Sequence, residues 1–355
     1  MLIDPQKSVP EARVEGAPGG PAYPDNPILV RHWRGGAVES VHRGIWALVD
    51  PDGHVIDGVG AFEHPIFARS STKALQALPL LETGAADRFG FGEPELALAV
   101  ASHNGERCHT DVVQRMLASI ELEVGDLRCG AHRPYDRETW EALRESGHEP
   151  TQVHNNCSGK HAGFLALGKE LGDAPADYLD LSSGIQRSVQ AAVVEMTGVN
   201  PDELGVAIDG CSAPTFRLPL RNLAQGFARF ANPSGLAPER SAACQRIADA
   251  VAANPDLIGA TRNQICSAIA RATGGRLFPK IGAEAVYVIG DRGGDRALAI
   301  KMDDGSRRGL HPLILHLLER FDLASEAERR ALEAWAAGPI RNWAGLDVGR
   351  TEVVE

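Results

Sequence analysis

The chain has 355 residues, of which 43% are hydrophobic and 23% are charged, proportions typical of a soluble globular protein with a substantial core. Its formal net charge of −11 argues against nucleic acid or an anionic membrane surface as a binding partner. No apolar run approaches the ~18–20 residues of a membrane span, and residues 1–26 contain no apolar signal region. We therefore expect a cytoplasmic protein whose six cysteines are mostly reduced thiols.

The first predicted elements are a tail and a set of strands. Residues 1–26 are rich in proline, glycine and glutamate, which predicts a flexible tail. Strand-like runs follow at 28–30 and 37–42. Two further runs, 45–49 and 55–59, flank Asp50-Pro51-Asp52-Gly53, and β runs around such a turn predict a hairpin.

Helical spacing of apolar residues dominates the chain from about 70 to 275. It predicts helices at 94–101, 110–120, 137–146, 161–171, 185–196 and 242–253. Strand character returns at 277–282, 285–289 and 297–300. Two amphipathic helices, at 310–321 and 326–336, are predicted to close the fold.

Strands at both ends of the chain, with helices between them, predict an α/β fold of the α+β type. In this fold a mostly antiparallel sheet is covered by helices. We expect residues 27–69 and 276–355 to form a sheet-containing lobe, and residues 70–275 to form an inserted, mainly helical lobe of the same catalytic unit. The cleft between the lobes is the expected ligand site.

One stretch, Ala68 to Leu80, contains a Ser-x-x-Lys pair where a helix is predicted to begin. Ser70 and Lys73 would then share a helical face, so the lysine amine could accept the serine proton and activate a nucleophile. The alternative is a serine that caps the helix and a solvated lysine. Only six of the 36 cationic side chains are lysines, and lysine, unlike arginine, can lose its proton when it is desolvated.

Three short patterns occur in one order: Ser70-x-x-Lys73, Ser102-x-Asn104 and Lys280-x-Gly282. Together they resemble the signature of the serine β-lactamases and penicillin-binding proteins, whose later elements are Ser-Asp-Asn and Lys-Thr-Gly. A free lysine has a pKa of ~10.4, whereas a useful base needs ~7–8, and burial beside a second ammonium would lower it. Ser102 would carry a proton towards the leaving group. The alternatives are a helix-capping Ser102 and an exposed Lys280.

A second cluster contains cysteines: Asn155-Asn156-Cys157-Ser158-Gly159-Lys160-His161, followed later by Asp209-Gly210-Cys211-Ser212-Ala213-Pro214. Two thiolates with an amine or imidazole could hold zinc tetrahedrally. The alternative is two buried cysteines that pack as small apolar groups.

These two segments, with Arg69–Lys73, Ala101–Glu106 and Lys280–Glu284, resemble the rhizobial-type L-asparaginases, which have a serine β-lactamase-like fold. The resemblance covers nearly the whole chain after the tail. It implies two Ser-Lys pairs, Ser70 with Lys73 and Ser102 with Lys280. It also implies an accessory zinc site and a homodimer. By the same resemblance, the zinc ligands are Cys157, Lys160 and Cys211, and the substrate-binding residues are Arg69, His161, Asp209 and Cys266.

The predicted reaction is hydrolysis of L-asparagine to L-aspartate and ammonia, with Ser70 as nucleophile and Lys73 as general base. Backbone N–H groups of Ser70 and of the Lys280 strand would form the oxyanion hole. Glutamine is expected to be a poor substrate. Two alternatives remain open: a β-lactamase-like serine amidase or peptidase, and a non-catalytic zinc- or ligand-binding protein on the same scaffold.

Overall fold

The computed structural model describes residues 23–354, and most of the predicted tail, residues 1–22, lies outside this range. Tyr23 and Asn26, at the described end of that segment, donate hydrogen bonds to the Asp303 carboxylate at 3.0 Å. Asn26 is 2% exposed. These contacts attach the start of the described chain to the end of a central strand.

The described chain contains eleven strands, all paired antiparallel. They are β1 Ile28–Arg34, β2 Ala37–Val49, β3 Val55–Val59, β4 Pro65–Phe67, β5 Gly205–Ile208, β6 Pro214–Pro219, β7 Leu277–Ile281, β8 Val286–Asp291, β9 Arg296–Met302, β10 Pro339–Arg341 and β11 Asp347–Val353. Eight of them form one sheet in the order β10-β11-β1-β2-β9-β8-β7, with β3 paired to β2. Strands β4, β6 and β5 form a smaller sheet in that order.

The sheet confirms that the two ends of the chain share one sheet, because β2 pairs with β9 from Gly44↔Met302 to Val49↔Ala297. The predicted hairpin is also present, with Val49 opposite Val55. The two runs predicted at 37–42 and 45–49 are a single strand. The strand continues through Gly44 because glycine has no Cβ. A Cβ at this position would lie 2.4 Å from the Lys301 carbonyl oxygen on β9.

The described helices are α1 Lys73–Gln76, α2 Leu78–Glu82, α3 Ala85–Arg88, α4 Glu93–Ala99, α5 Arg107–Ser119, α6 Arg137–Glu145, α7 Ser158–Leu171, α8 Gly184–Thr197, α9 Leu220–Ala231, α10 Pro238–Ala253, α11 Ile265–Ala272, α12 Arg307–Arg320 and α13 Glu326–Ala331. Helix α9 packs against β2, β8 and β9, and α12 packs against β1, β9 and β11. The predicted antiparallel sheet covered by helices is therefore confirmed. No helix among residues 23–354 has the length and apolar character needed to cross a bilayer.

One expectation needs correction. The chain does not end in helices, because β10 and β11 form a hairpin whose second strand pairs with β1, from Val30↔Val353 to Arg34↔Gly349. The segment 70–275, expected to be mainly helical, contains α1 to α11 together with β5 and β6. Its helix α9 packs on the large sheet rather than only on other helices. A polar, glycine-containing hairpin at a sheet edge carries little apolar alternation, which is why the pattern did not predict it.

Candidate active site

The Ser70 segment is a tight turn rather than the start of one long helix. Arg69–Thr72 forms a 3-10 turn that runs into α1. The Ala68 N–H donates to the Phe216 carbonyl of β6 at 2.9 Å, which fixes the entry to the turn. Arg69 has φ +53°, a left-handed conformation that non-glycine residues rarely adopt. Two hydrogen bonds from its guanidinium to Asp209 Oδ1, of 2.7 and 3.0 Å, hold it there.

Two lysine amines meet at the hydroxyl of Ser102. Lys280 Nζ lies 2.8 Å from Ser102 Oγ, and Lys73 Nζ lies 3.3 Å from the same oxygen. Both lysine side chains are fully buried. Lys73 also donates to the carbonyl oxygens of Ala101 and, at 3.4 Å, Asn156. The three groups therefore form one hydrogen-bonded unit contributed by α1, the segment after α4, and β7.

The electrostatics of this unit favour a neutral amine. Burial, and next to it the charge of Lys73, lower the pKa of Lys280 to about 7. Near neutral pH a substantial fraction of Lys280 is then unprotonated and able to accept a proton from Ser102. The arrangement can move a proton between an alcohol and an amine without solvent.

Ser70 does not form the hydrogen bond that its spacing to Lys73 suggests. The side chain of Ser70 is half-buried, and its Oγ has no hydrogen-bond partner within residues 23–354. Lys73 extends instead towards Ser102. An unpartnered hydroxyl next to the lysine–serine unit is free to contact a substrate.

Two backbone N–H groups near Ser70 are also free. Those of Ser70 and Ala283 donate no hydrogen bond within the described part of the chain. Gly282, the residue after β7, lies close to the Ser70 turn. A Cβ at this position would be 2.7 Å from the Ala68 carbonyl oxygen and 3.2 Å from the Ser71 nitrogen. The two amides are therefore candidates for an oxyanion hole.

The segment that carries Ser102 is held on both sides by backbone hydrogen bonds. Ser102 N–H donates to the Ile258 carbonyl at 3.0 Å, and Asn104 N–H donates to the Gly259 carbonyl at 2.9 Å. On the other side, His103 N–H donates to the Asn156 carbonyl at 3.3 Å. These bonds fix Ser102 between the loop before α11 and the loop before α7.

The ring of His103 reinforces this placement. Its Nδ1 accepts from the Gly105 N–H at 3.2 Å, which places the proton on Nε2. Nε2 then donates to Ser158 Oγ at 2.9 Å, and Ser158 donates to the Val153 carbonyl at 3.0 Å. His103 was not among the predicted site residues, although it occupies the variable position of the Ser-x-Asn motif. Its role is to position Ser102 against the start of α7.

The residues expected to bind zinc lie together. Cys157, Lys160 and Cys211 are each 4% exposed, and Lys160 Nζ lies 3.3 Å from Cys211 Sγ. A hydrogen bond between the two sulfurs, and next to it the Lys160 charge, lower the pKa of Cys211 to about 5. The same hydrogen bond, with burial, raises the pKa of Cys157 to about 12. Burial opposes the charge on Lys160, but the two sulfurs raise its pKa. Two buried sulfurs, a donor type that zinc prefers, therefore lie beside one amine, which could ligate a metal only after losing its proton.

The four expected substrate-binding residues are in different environments. Arg69 and Asp209 form the ion pair beside Ser70. His161 is fully buried, its Nδ1 lies 2.7 Å from Tyr178 Oη, and its Nε2 has no hydrogen-bond partner within residues 23–354. Cys266 is fully buried on α11, within electrostatic range of Lys280. Of the four, only Arg69 and Asp209 are near enough to the surface of the site to meet a ligand without rearrangement.

Comparison with known proteins gives one family. A model of the L-asparaginase II family matches residues 30–353. Among solved structures, a β-lactamase from Mycobacterium bovis has 15% sequence identity and a TM-score of 0.42, with coverage of 82% of this chain and 95% of its own. The structure of Mglu in its native form has 15% identity and a TM-score of 0.36, with coverage of 79% and 64%. No curated protein matches. The family match includes every site residue described above.

Proposed function

Because this chain belongs to the L-asparaginase II family, it is an amidohydrolase that converts L-asparagine to L-aspartate and ammonia, and we propose that it does so through an acyl-enzyme on Ser70. The observation that carries the mechanism is the meeting of two buried amines at Ser102 Oγ, 2.8 and 3.3 Å away. A desolvated amine can accept a serine proton near neutral pH, and a solvated one cannot.

In the first half-reaction, Ser70 Oγ forms a bond to the side-chain amide carbon of asparagine while its proton passes to Lys73. This step requires the Lys73 amine to turn from Ser102 towards Ser70 when substrate binds. The N–H groups of Ser70 and Ala283 hold the resulting oxyanion. The C–N bond then breaks as Ser102 gives its proton to the departing ammonia. Ser102 recovers a proton from the lysine amines that contact it.

In the second half-reaction, water attacks the ester on Ser70. The same amines accept the proton of water and return one to Ser70, which releases aspartate. The proton that Ser70 loses leaves on ammonia and a proton of water replaces it through the amines that contact Ser102, so the enzyme is regenerated in its starting protonation state. Both amines contact Ser102 rather than Ser70, so the choice of Ser70 as the attacking group is supported by its free hydroxyl and by the two free backbone N–H groups beside it.

We also propose that Cys157, Lys160 and Cys211 hold zinc. When bound, the ion would supply a fixed positive charge that orients the substrate. The nucleophile does not depend on it, because the serine–lysine unit provides one. The proximity of Lys160 Nζ to Cys211 Sγ, 3.3 Å, and the low pKa of Cys211, about 5, support the proposal. Cys157 and Lys160, whose pKa values are raised, would each release a proton when the ion binds.

Two further properties are proposed. A cytoplasmic location is supported by the six cysteines, none of which forms a disulfide in the described structure. A homodimer is supported by two large apolar side chains exposed beside each other on the β10–β11 hairpin, Trp343 and Leu346.

The test is ammonia release from L-asparagine by the wild type, Ser70→Ala and Ser102→Ala, with zinc measured on the same samples. We expect Ser70→Ala to lose activity by several orders of magnitude and to retain zinc. Mass spectrometry of wild type quenched during turnover should find the acyl group on the peptide that contains Ser70. Acylation of Ser102 instead would contradict the assignment, and zinc-free wild type would contradict the metal proposal.

Substrate controls separate the remaining alternatives. L-glutamine is expected to react much more slowly than L-asparagine, and a chromogenic β-lactam should not be hydrolysed. Comparable rates on the β-lactam would favour a β-lactamase-like amidase. Unchanged ammonia release by Ser70→Ala would remove the serine mechanism.

A further inference from the structure

A cleft of about 540 Å³ opens in front of the Arg69–Asp209 ion pair, in the volume range of small-molecule sites. The small sheet β4-β6-β5 forms one wall, and the ends of the central strands form the other. Arg69 lines the cleft, but neither Ser102 nor the two catalytic lysines do. The cleft is therefore adjacent to the proposed active site and distinct from it.

One wall carries an unpaired cation. Arg217 on β6 lines the cleft, is half-buried, and has no ion pair or hydrogen-bond partner for its guanidinium within residues 23–354. Other half-buried arginines form ion pairs with carboxylates: Arg69 pairs with Asp209, and Arg221 pairs with Glu63. A partly desolvated guanidinium without a partner is costly, and a carboxylate would match its fork of donors.

A hydroxyl on the same face of β6 is also unsatisfied. Thr215 is two residues from Arg217, so both side chains leave the strand on one side. It lines the cleft, is 3% exposed, and its Oγ1 has no hydrogen-bond partner in the described structure. A buried hydroxyl without a hydrogen-bond partner indicates a position where a polar group of a ligand can bind. The guanidinium and the hydroxyl are therefore two unpartnered donors on one face of β6, of the kind that a carboxylate accepts from.

The opposite wall is acidic. Glu284 and Asp303 line the cleft there, and both lie within electrostatic range of Lys301. Lys301 does not pair with either carboxylate, because its Nζ donates to the carbonyl oxygens of Glu284, at 2.8 Å, and Met302. Glu284 has no hydrogen bond or ion pair through its carboxylate within residues 23–354. The Asp303 carboxylate already accepts hydrogen bonds from Tyr23 and Asn26. The cleft thus has an unpaired guanidinium at β6 and, on the wall across from it, an unpaired carboxylate on Glu284.

We propose that this cleft binds the head group of a free α-amino acid, with its carboxylate on Arg217 and Thr215 and its ammonium group towards Glu284 and Asp303. Opposite charges on a small ligand match the unpaired guanidinium and the unpaired carboxylate, whereas a simple anion would satisfy only one. The identity of the amino acid rests on the proposed function: asparagine before it passes Arg69 to reach Ser70, or aspartate after release. The cleft is then a second amino-acid site in front of the serine–lysine centre.

The test is calorimetric titration of L-aspartate, which the enzyme does not consume, into the full-length wild type, Arg217→Gln and Thr215→Val. Loss of a charge-assisted bidentate pair is expected to weaken binding about tenfold in Arg217→Gln, with a smaller loss in Thr215→Val. Arg221→Gln is the matched control, since this arginine already has a carboxylate and does not line the cleft. Its affinity should equal that of the wild type. Succinate, which lacks the ammonium group, should bind more weakly than aspartate.

Several outcomes would overturn the proposal: no binding of aspartate by the wild type, or equal affinities in wild type, Arg217→Gln and Thr215→Val. Arg217→Lys should recover part of the affinity, and an equal thermal midpoint for all variants excludes misfolding as the cause of a loss. Ammonia release is measured separately on the wild type. Binding through Arg217 without ammonia release would retain the cleft and remove the hydrolase mechanism, so the two failures are distinguishable.

Discussion

The choice of lysine at positions 73 and 280 follows from the chemistry that the site requires. The chain uses arginine for most of its cationic surface, and an arginine stays protonated even when it is buried. Lys280, at 0% exposure, can give up its proton, because burial and the nearby charge of Lys73 both disfavour its charged form. Ser102 is then bonded to two groups that can exchange a proton through it.

This environment predicts a pH dependence for the wild-type enzyme. Since the pKa of Lys280 is lowered to about 7, the neutral form becomes more populated as pH rises through 7. The log of kcat/KM should therefore increase from pH 5 to a plateau near pH 8, with a midpoint near 7. Charged or titratable groups near Lys280 that contribute to this value are Lys73, Cys266, Cys157 and Lys160.

The Lys280→Arg variant tests whether Lys280 is the group whose ionisation gives the midpoint near pH 7. Arginine keeps a cation in place but cannot act as a base, so activity should fall at least a hundredfold and the limb near pH 7 should disappear. Lys169→Arg, at a partly exposed lysine paired with Glu121, is the matched control and should retain the wild-type profile. A Lys280→Arg enzyme with the same midpoint would assign the ionisation to another group.

At the scale of elements, residue spacing predicted which segments form the site but not how their side chains connect. Ser70 and Lys73 have the spacing of one helical face, yet the carbonyls of Ala101 and Asn156 attract the Lys73 amine towards Ser102. Those carbonyls come from distant parts of the chain, and no local pattern encodes them. His103 was missed for the same reason, since its partner Ser158 is 55 residues away.

Local patterns were most reliable where period and turn signals agreed. Strand 55–59 was predicted with its observed bounds because alternation follows a Pro-Asp-Gly turn. Helix α9 was not predicted. It follows strand β6 directly at Pro219, has no side-chain cap, and contains Gly226, all of which weaken the local signal. Packing compensates, since Gly226 leaves room for Thr197 and Leu75.

The contact of α7 with α4 predicts opposite effects for two glycines on α7. A Cβ on Gly159 would lie 2.3 Å from the Leu98 carbonyl oxygen of α4, whereas a Cβ on Gly163 would meet Ala99 at an ordinary 3.5 Å. Gly159→Ala should therefore destabilise the protein by about 1–3 kcal/mol, as overpacking does. Because α7 carries Lys160 and α4 leads into Ser102, activity and zinc binding should fall too.

Gly163→Ala is the matched control on the same helix. Alanine in a helix interior is favoured over glycine by roughly 0.5–1 kcal/mol, so this variant should be as stable as the wild type or more so. Thermal unfolding and ammonia release measured on both variants check the pair. Equal thermal midpoints for the two variants would show that the α4–α7 contact is looser than the structure indicates.

At the scale of the whole molecule, the large sheet joins parts of the chain that are far apart in sequence. Strand β2 pairs with β9, and β1 pairs with β11, so both ends are required for one sheet. Lys280 lies on β7 of this sheet, in the C-terminal part of the chain. The Ser70 turn follows β4, in the N-terminal part. The sequence predicted the first pairing because strands occurred at both ends. It did not predict the second, because β10 is a three-residue edge strand and β11 is largely polar with little apolar alternation.

That hairpin carries the last prediction, which concerns assembly. Trp343 is fully exposed and Leu346 is 63% exposed, and they lie within the same turn between β10 and β11. Two large apolar side chains so close together on a surface are typical of an interface. We expect light scattering to give the mass of two chains for the wild type and of one chain for the double variant Trp343→Ser, Leu346→Ser. Tyr135→Ser, at another exposed aromatic residue, should remain a dimer because Tyr135 lies outside this hairpin. A wild type that is monomeric at micromolar concentration, or a double variant that is still dimeric, would show that the hairpin does not join two copies.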